Sequence, residues 1–155
     1  MPDATFVSVS RFQPEHPRAL ALYCSDGRFT GPVEELLESL GHDRLNTVTL
    51  PGGPALLDLW SASYADRDAV ARALSFLIEG HALTHLVLVA HEGCGYYRAR
   101  HALLAPAEVE KRQVQDLRTA AAAIRTANSR TPLDVALFYA RAADGAVRFE
   151  PVPVG

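Results

Sequence analysis

Two cysteines and one histidine carry the sharpest chemical possibilities in this 155-residue chain. The first cysteine opens Cys24-Ser25-Asp26-Gly27-Arg28, and the second closes His91-Glu92-Gly93-Cys94. Two thiolates and an imidazole are borderline-soft donors that suit zinc, and three protein ligands leave a fourth position for water or substrate. A lone pair of cysteines also fits a redox couple or two buried thiols, although no Cys-x-x-Cys pair is present. Asp26 lies two residues beyond Cys24, where a carboxylate can bind a metal or take a proton from metal-bound water. Arg28 can hold that carboxylate through a two-bond fork. Taken alone, Ser25-Asp26-Gly27 reads better as an ordinary turn, with Arg28 a solvated charge.

These groups act together only if the fold gathers them. Ala19 to Cys24 is a short apolar run that reads as a buried strand, and Cys24 ends it. Pro32 opens a helix with Val33, Leu36, Leu37 and Leu40 on one face, and Gly41 stops it. Leu45 to Leu50 predicts a second strand, ended by Pro51-Gly52-Gly53-Pro54. Asp66 can cap a second helix, which Gly80 ends; Val70, Ala73, Leu74, Leu77 and Ile78 form its apolar face. Leu86 to Ala90 is a third strand, apolar throughout, and His91 follows it directly. A long helix after Pro106 turns Val109, Val114, Leu117, Ala121 and Ile124 inward. Val135 to Tyr139 is a fourth strand, and Asp144-Gly145 turns the chain into a fifth, Ala146 to Glu150.

Strands alternating with helices predict an α/β fold. It is a single three-layer domain over residues 1–155, with helices on both faces of a mainly parallel sheet. The sheet has about four parallel strands plus an antiparallel edge strand. Residues 1–17, with three prolines, read as a loose leader. Ligands of such sheets bind at the carboxyl ends of strands. Cys24 and the His91–Cys94 segment both fall there, so neighbouring first and third strands would bring all three side chains to one rim.

A hydrophobic fraction of 48% and a charged fraction of 21% fit a folded domain with one core. The net charge of −3 and the lack of a basic run give no footing for nucleic acid. No run approaches the roughly 18 apolar residues of a membrane helix. Met1 to Arg11 lacks the pattern of a secretory signal, so the expected location is cytoplasmic.

Cys-x-Asp-x-Arg followed far downstream by His-x-x-Cys-Gly resembles the signature of the β-class carbonic anhydrases. Both parts are present, as CSDGR at 24–28 and HEGCG at 91–95, and the order of elements over residues 19–150 is similar too. The resemblance implies one Zn2+ per chain on Cys24, His91 and Cys94. Asp26 and Arg28 would be a catalytic dyad gating the fourth position, with Asp26 itself a fourth ligand in a closed state. Gly95 would open a helix whose free N–H groups favour the Cys94 thiolate. The implied reaction is reversible hydration of CO2 to bicarbonate by zinc-bound hydroxide. Two thiolates donate more charge than imidazoles and should acidify that water less. The implied assembly is a homodimer or a set of dimers.

Several positions depart from the family pattern. The leader is short for the usual N-terminal arm. An Arg-Asn-Ala-Gly-type stretch is replaced by Pro51-Gly52-Gly53-Pro54, whose prolines lack N–H donors. Gly52, Gly53 and Gly95 are the substrate-pocket candidates. Gln13 is the one glutamine before Cys24, and no other residue there could match the family's bicarbonate-holding glutamine. Glu92, Tyr97 and His101 lie close enough in sequence to be considered as proton shuttles, but packing or surface roles suit each better. Related zinc hydrolases of carbon disulfide or carbonyl sulfide share these ligands. A zinc-binding protein without CO2 hydration activity would share them as well.

Overall fold

The apolar runs assemble into one five-stranded sheet. The structure, a computed structural model, describes residues 5–155. Its strands are β1 (Ala19–Cys24), β2 (Asn46–Leu50), β3 (His85–His91), β4 (Asp134–Ala143) and β5 (Ala146–Val152), in the spatial order β2-β1-β3-β4-β5. The first four are parallel, and β5 returns antiparallel along β4. Helices α1 (Thr30–Ser39), α2 (Tyr64–Gly80), α3 (Gly95–Arg100) and α4 (Pro106–Ala127) complete the chain.

From β1 the chain steps one way to β2, then crosses back over β1 to reach β3. Right-handed crossovers in opposite directions put their helices on opposite faces. The core clusters follow that rule. Leu20, Leu22, Leu86 and Leu88 pack with Val70, Leu74 and Ile78 of α2 and Leu117, Ala121 and Ile124 of α4. On the other face, Ala21, Tyr23, Val87 and Val89 pack with Phe29 and with Val33 and Leu37 of α1. Every residue of β1 is buried, as a strand covered on both sides must be. The reversal of direction between β1 and β3 leaves a crevice at their carboxyl ends, where α/β sheets bind ligands.

Local details refine the expected elements. Ser63, not Asp66, caps α2: its Oγ accepts the Asp66 N–H at 3.1 Å and donates to the Asp66 carboxylate at 2.6 Å. This reciprocal pairing, with Asp66 three residues after the cap, moves the helix start back to Tyr64. Helix α1 begins at Thr30, ahead of Pro32. Pro32 is tolerated because the first turn of a helix has N–H groups without partners. Gly80 is the last residue of α2, but the left-handed position falls on Ala82, φ 50°.

Asp144 and Gly145 both have positive φ, 54° and 75°, the geometry of a two-residue hairpin turn. That turn zips β4 and β5 further than their hydrophobic pattern extends, as far as Ala143 against Ala146. Gly53–Leu57, expected only to end a strand, forms a fully buried 3-10 turn. Residues 5–17 contain no helix or strand, while the leader's first four residues lie outside the described range.

Candidate metal centre

Cys24 is the last residue of β1 and His91 the last of β3. Cys94 follows three residues later as the cap of α3. Their donor atoms lie within 4.8 Å of one another, and all three residues are buried. The two sulfurs are 3.8 Å apart and unbonded. Two sulfurs on a tetrahedral zinc, each about 2.3 Å from the metal, are also about 3.8 Å apart.

The imidazole is set for a ligand. His91 Nδ1 lies 2.8 Å from the Glu92 carbonyl, and a carbonyl can only accept, so Nδ1 carries the proton. Nε2 is left as a lone-pair donor. It is buried and has no hydrogen-bond partner among the described residues. A buried polar atom without a partner is costly unless something binds it. Phe29 lies against the ring, centroids 4.2 Å apart, and Gln113 Nε2 donates to the His91 carbonyl at 2.7 Å.

Backbone N–H groups of Gly52 and Asp26 favour the Cys24 thiolate, and those of Tyr96 and Tyr97 favour that of Cys94. The hydrogen bond from Cys94, helped by these amides, lowers the Cys24 thiol from its ordinary 9.0 to about 4. Cys94 is pushed upward by that same bond and by burial. A divalent metal between the two sulfurs would let both ionise. The orphaned imidazole nitrogen, the sulfur spacing and the donor chemistry together fit zinc.

Beside this cluster, Arg28 grips Asp26. Its Nε donates to both carboxylate oxygens, at 2.9 and 3.2 Å, and its NH2 reaches Oδ2 at 2.5 Å. The Arg28 backbone N–H adds a further bond to Oδ1 at 3.1 Å. The guanidinium holds the Asp26 carboxyl at about 2.

No family model matches the sequence, and no curated protein matches it. Solved structures do. The β-carbonic anhydrase CafA of Aspergillus fumigatus superposes with a TM-score of 0.55 at 18% identity, covering 88% of this chain and 76% of that one. Isoform I of the β-carbonic anhydrase of Trichomonas vaginalis gives 0.57 at 12% identity, covering 92% and 87%. The fold is that of the β-carbonic anhydrases. Two tetrameric β-carbonic anhydrases of Sordaria macrospora are represented as well, with a TM-score of 0.54 at 15% identity over 87% and 81%.

Within this β-carbonic anhydrase fold, Gly52 and Gly53 are buried. A Cβ on Gly52 would meet the Tyr96 ring at 2.6 Å, and one on Gly53 would meet the Tyr23 backbone at 2.6 Å. Gly95 does open α3, in free space.

The side chains considered as shuttles are engaged within the chain. Glu92 accepts the Ala142 N–H, Tyr97 donates to Asp116, and His101 Nε2 lies 3.3 Å from Ser61 Oγ. Glu92 and His101 also line a cavity of about 580 Å3 that reaches Cys94. Gln13 is exposed in the leader. Among the described residues, no helix is long and apolar enough to cross a membrane.

Sequence reasoning missed Phe29, Ser61, Gln113 and Asp116. Two of them left a signal. Gln113 and Asp116 sit inside the buried stripe of α4 with Leu117, Ala120 and Ile124, and a polar residue in an apolar stripe needs a buried partner.

Proposed function

We propose that this protein is a zinc enzyme that reversibly hydrates carbon dioxide to bicarbonate. The observation that carries the reading is the buried trio Cys24, His91 and Cys94 with the His91 Nε2 lone pair unpartnered. Zinc held by the three would supply the Lewis acidity that makes water a nucleophile at neutral pH. The protein supplies the rest.

His91 is fixed by the Glu92 carbonyl, Gln113 and Phe29, so little reorganisation is needed on binding. Asp26, held ionised by Arg28, keeps lone pairs to accept a hydrogen bond from the attacking water and orient it. With both its oxygens gripped by Arg28, Asp26 is also restrained from becoming a fourth donor. Arg28 is 74% exposed, so water screens the pair and its value lies in geometry more than in stability.

Purified, zinc-loaded protein should hydrate CO2 in a stopped-flow assay. Turnover of carbon disulfide or carbonyl sulfide without CO2 hydration would reassign the substrate. Zinc at full occupancy with no turnover of any of the three would leave a binding protein.

The same reading includes a homodimer or an assembly of dimers. Phe6, Val9 and Phe12 stand exposed in the leader, and Phe138 and Phe149 form a half-buried aromatic pair at the sheet edge. Apolar surface of this kind is commonly covered by another chain. Sedimentation showing a stable, active monomer at micromolar concentration would refute the assembly.

A further inference from the structure

The α4 helix grips the segment that carries two of the three ligands, and it does so with buried polar groups. Gln113 and Asp116 are three residues apart on one face of α4, with 1% and 0% of their surfaces exposed. Gln113 donates to the carbonyl of His91 at 2.7 Å and accepts the Tyr139 hydroxyl at 3.0 Å. Asp116 accepts the hydroxyl of Tyr97 at 2.5 Å, that of Ser61 at 2.6 Å and Arg112 Nε at 2.6 Å. Arg112 also pairs with Asp58, which ties the 58–61 loop into the same network.

Tyr97 is the point of contact with the metal centre. Its ring packs with Cys24, Ala55 and Cys94, and Cys94 is the residue that caps its helix. Helix α3 has only six residues, too few to hold its own orientation by internal hydrogen bonds. What fixes it is the pair of tyrosine hydroxyls: Tyr96 to the Ser61 carbonyl at 2.6 Å, and Tyr97 to Asp116.

We infer that Asp116 is a positioning residue for the metal centre, acting through the Tyr97 hydroxyl to aim Cys94 at the start of α3. A carboxylate completely enclosed by protein is expensive unless donors surround it, and the network around Asp116 provides them. Losing the Tyr97 hydroxyl leaves the ring in place but frees α3 to rotate about Cys94. The inference rests on the zinc reading of the trio.

The test compares Tyr97→Phe and Asp116→Asn with Leu117→Ala, a fully buried α4 position with no polar contact. The readouts are the zinc dissociation constant by chelator competition, the thiolate-to-cobalt charge-transfer spectrum of cobalt(II)-loaded protein, and the thermal midpoint. Tyr97→Phe is expected to weaken zinc about tenfold, the usual scale for partners that orient metal ligands, and to shift the cobalt band. Asp116→Asn should move both in the same direction. Leu117→Ala should lower the thermal midpoint at least as far while keeping zinc affinity within about twofold of wild type, because a lost apolar contact costs stability without turning α3. Tyr97→Phe with wild-type affinity and spectrum would overturn the inference, as would an equal loss of affinity in Leu117→Ala. Wild-type protein that takes up neither zinc nor cobalt would overturn the metal centre itself, and the inference with it.

Discussion

Cys24 and Cys94 are chemically identical ligands held by different physics. Cys24 ends a strand hydrogen-bonded on both sides, and its pairing with Leu50 of β2 fixes where its sulfur points. The amides of Asp26 and Gly52 favour its thiolate, and the neighbouring Gly53 lets the 3-10 turn approach the β1 backbone. Cys94 stands outside the sheet at the start of a short helix, held by one tyrosine hydroxyl on the Ser61 carbonyl and another on the buried Asp116 carboxylate. A ligand on a sheet inherits its position from backbone hydrogen bonds that any sequence of the right pattern can make. A ligand beyond the sheet must be positioned by particular side chains. The first side should therefore be sensitive to volume and the second to polar chemistry.

The largest effect should be common to both sides. Wild-type protein should carry about one zinc per chain, and Cys24→Ala or Cys94→Ala should lose most of it, since two remaining ligands make a poor site. Elemental analysis checks this. A Cys94→Ala variant with full zinc occupancy would remove the second ligand from the assignment altogether.

Next comes the volume-sensitive side. Gly53 has φ 50°, and an added Cβ would lie 2.6 Å from the Tyr23 carbonyl carbon and 2.8 Å from the Cys24 nitrogen. Those are backbone atoms in a central strand and cannot step aside. Gly53→Ala should cost about 3 kcal/mol in urea denaturation, combining backbone strain with overpacking. Gly95→Ala, with nothing within 4 Å of the new carbon, should stay within about 0.5 kcal/mol of wild type. Equal costs at the two glycines would erase the steric half of the comparison.

The same contrast explains what could be read before the fold was known. Leu20, Leu22, Leu86 and Leu88 advertise buried strands by composition alone, and the Cys24 and His91 motifs follow directly at their ends, so sheet and ligands were legible together. The 3-10 turn at Gly53–Leu57 was not, because Pro51-Gly52-Gly53-Pro54 has the composition of any loop and its burial depends on Tyr96 and β1 arriving from elsewhere. Asp116 was hidden for a related reason. Its neighbours Ser61, Tyr97 and Arg112 converge through tertiary structure, and only its place in the apolar stripe of α4 hinted at a partner. The α2 cap went to Asp66 because its carboxylate suits the role equally; Ser63 wins by reciprocal bonding to that same residue.

The dyad tests the Cys24 side at its one side-chain-dependent point. Arg28→Ala should retain zinc while CO2 hydration falls about 100-fold, the scale expected when a reacting group is misplaced. Freed from its fork, Asp26 can swing toward the metal position. Arg28→Lys should rescue little, because an ammonium cannot reproduce a planar two-bond grip. Higher pH should restore Arg28→Ala only in part, as hydroxide competes with the carboxylate. Zinc content and hydration rate measured on one sample decide the matter: near-wild-type turnover at every pH would reduce the dyad to a surface ion pair.

A last test of the comparison concerns the shared proton in metal-free protein. Cys24 is lowered to about 4 from an ordinary 9.0, so its contribution to stability is complete above about 9 and is lost as pH falls toward 4. Cys94 is raised, so its contribution is complete below its ordinary value and declines as pH climbs past about 9. Between those limits the native pair holds one proton and the unfolded pair two, and stability attributable to the pair should rise with pH and peak near 9. The slope cannot exceed about 1.4 kcal/mol per pH unit, the one-proton limit. Asp26, held at about 2, does not titrate in this range. In chelator-treated protein, the difference in unfolding free energy between wild type and Cys24→Ser should therefore widen from about pH 5 to about pH 9. A difference that stays flat would mean that the two sulfurs do not share a proton, and that the strand-held and helix-held thiols are electrostatically independent until metal arrives.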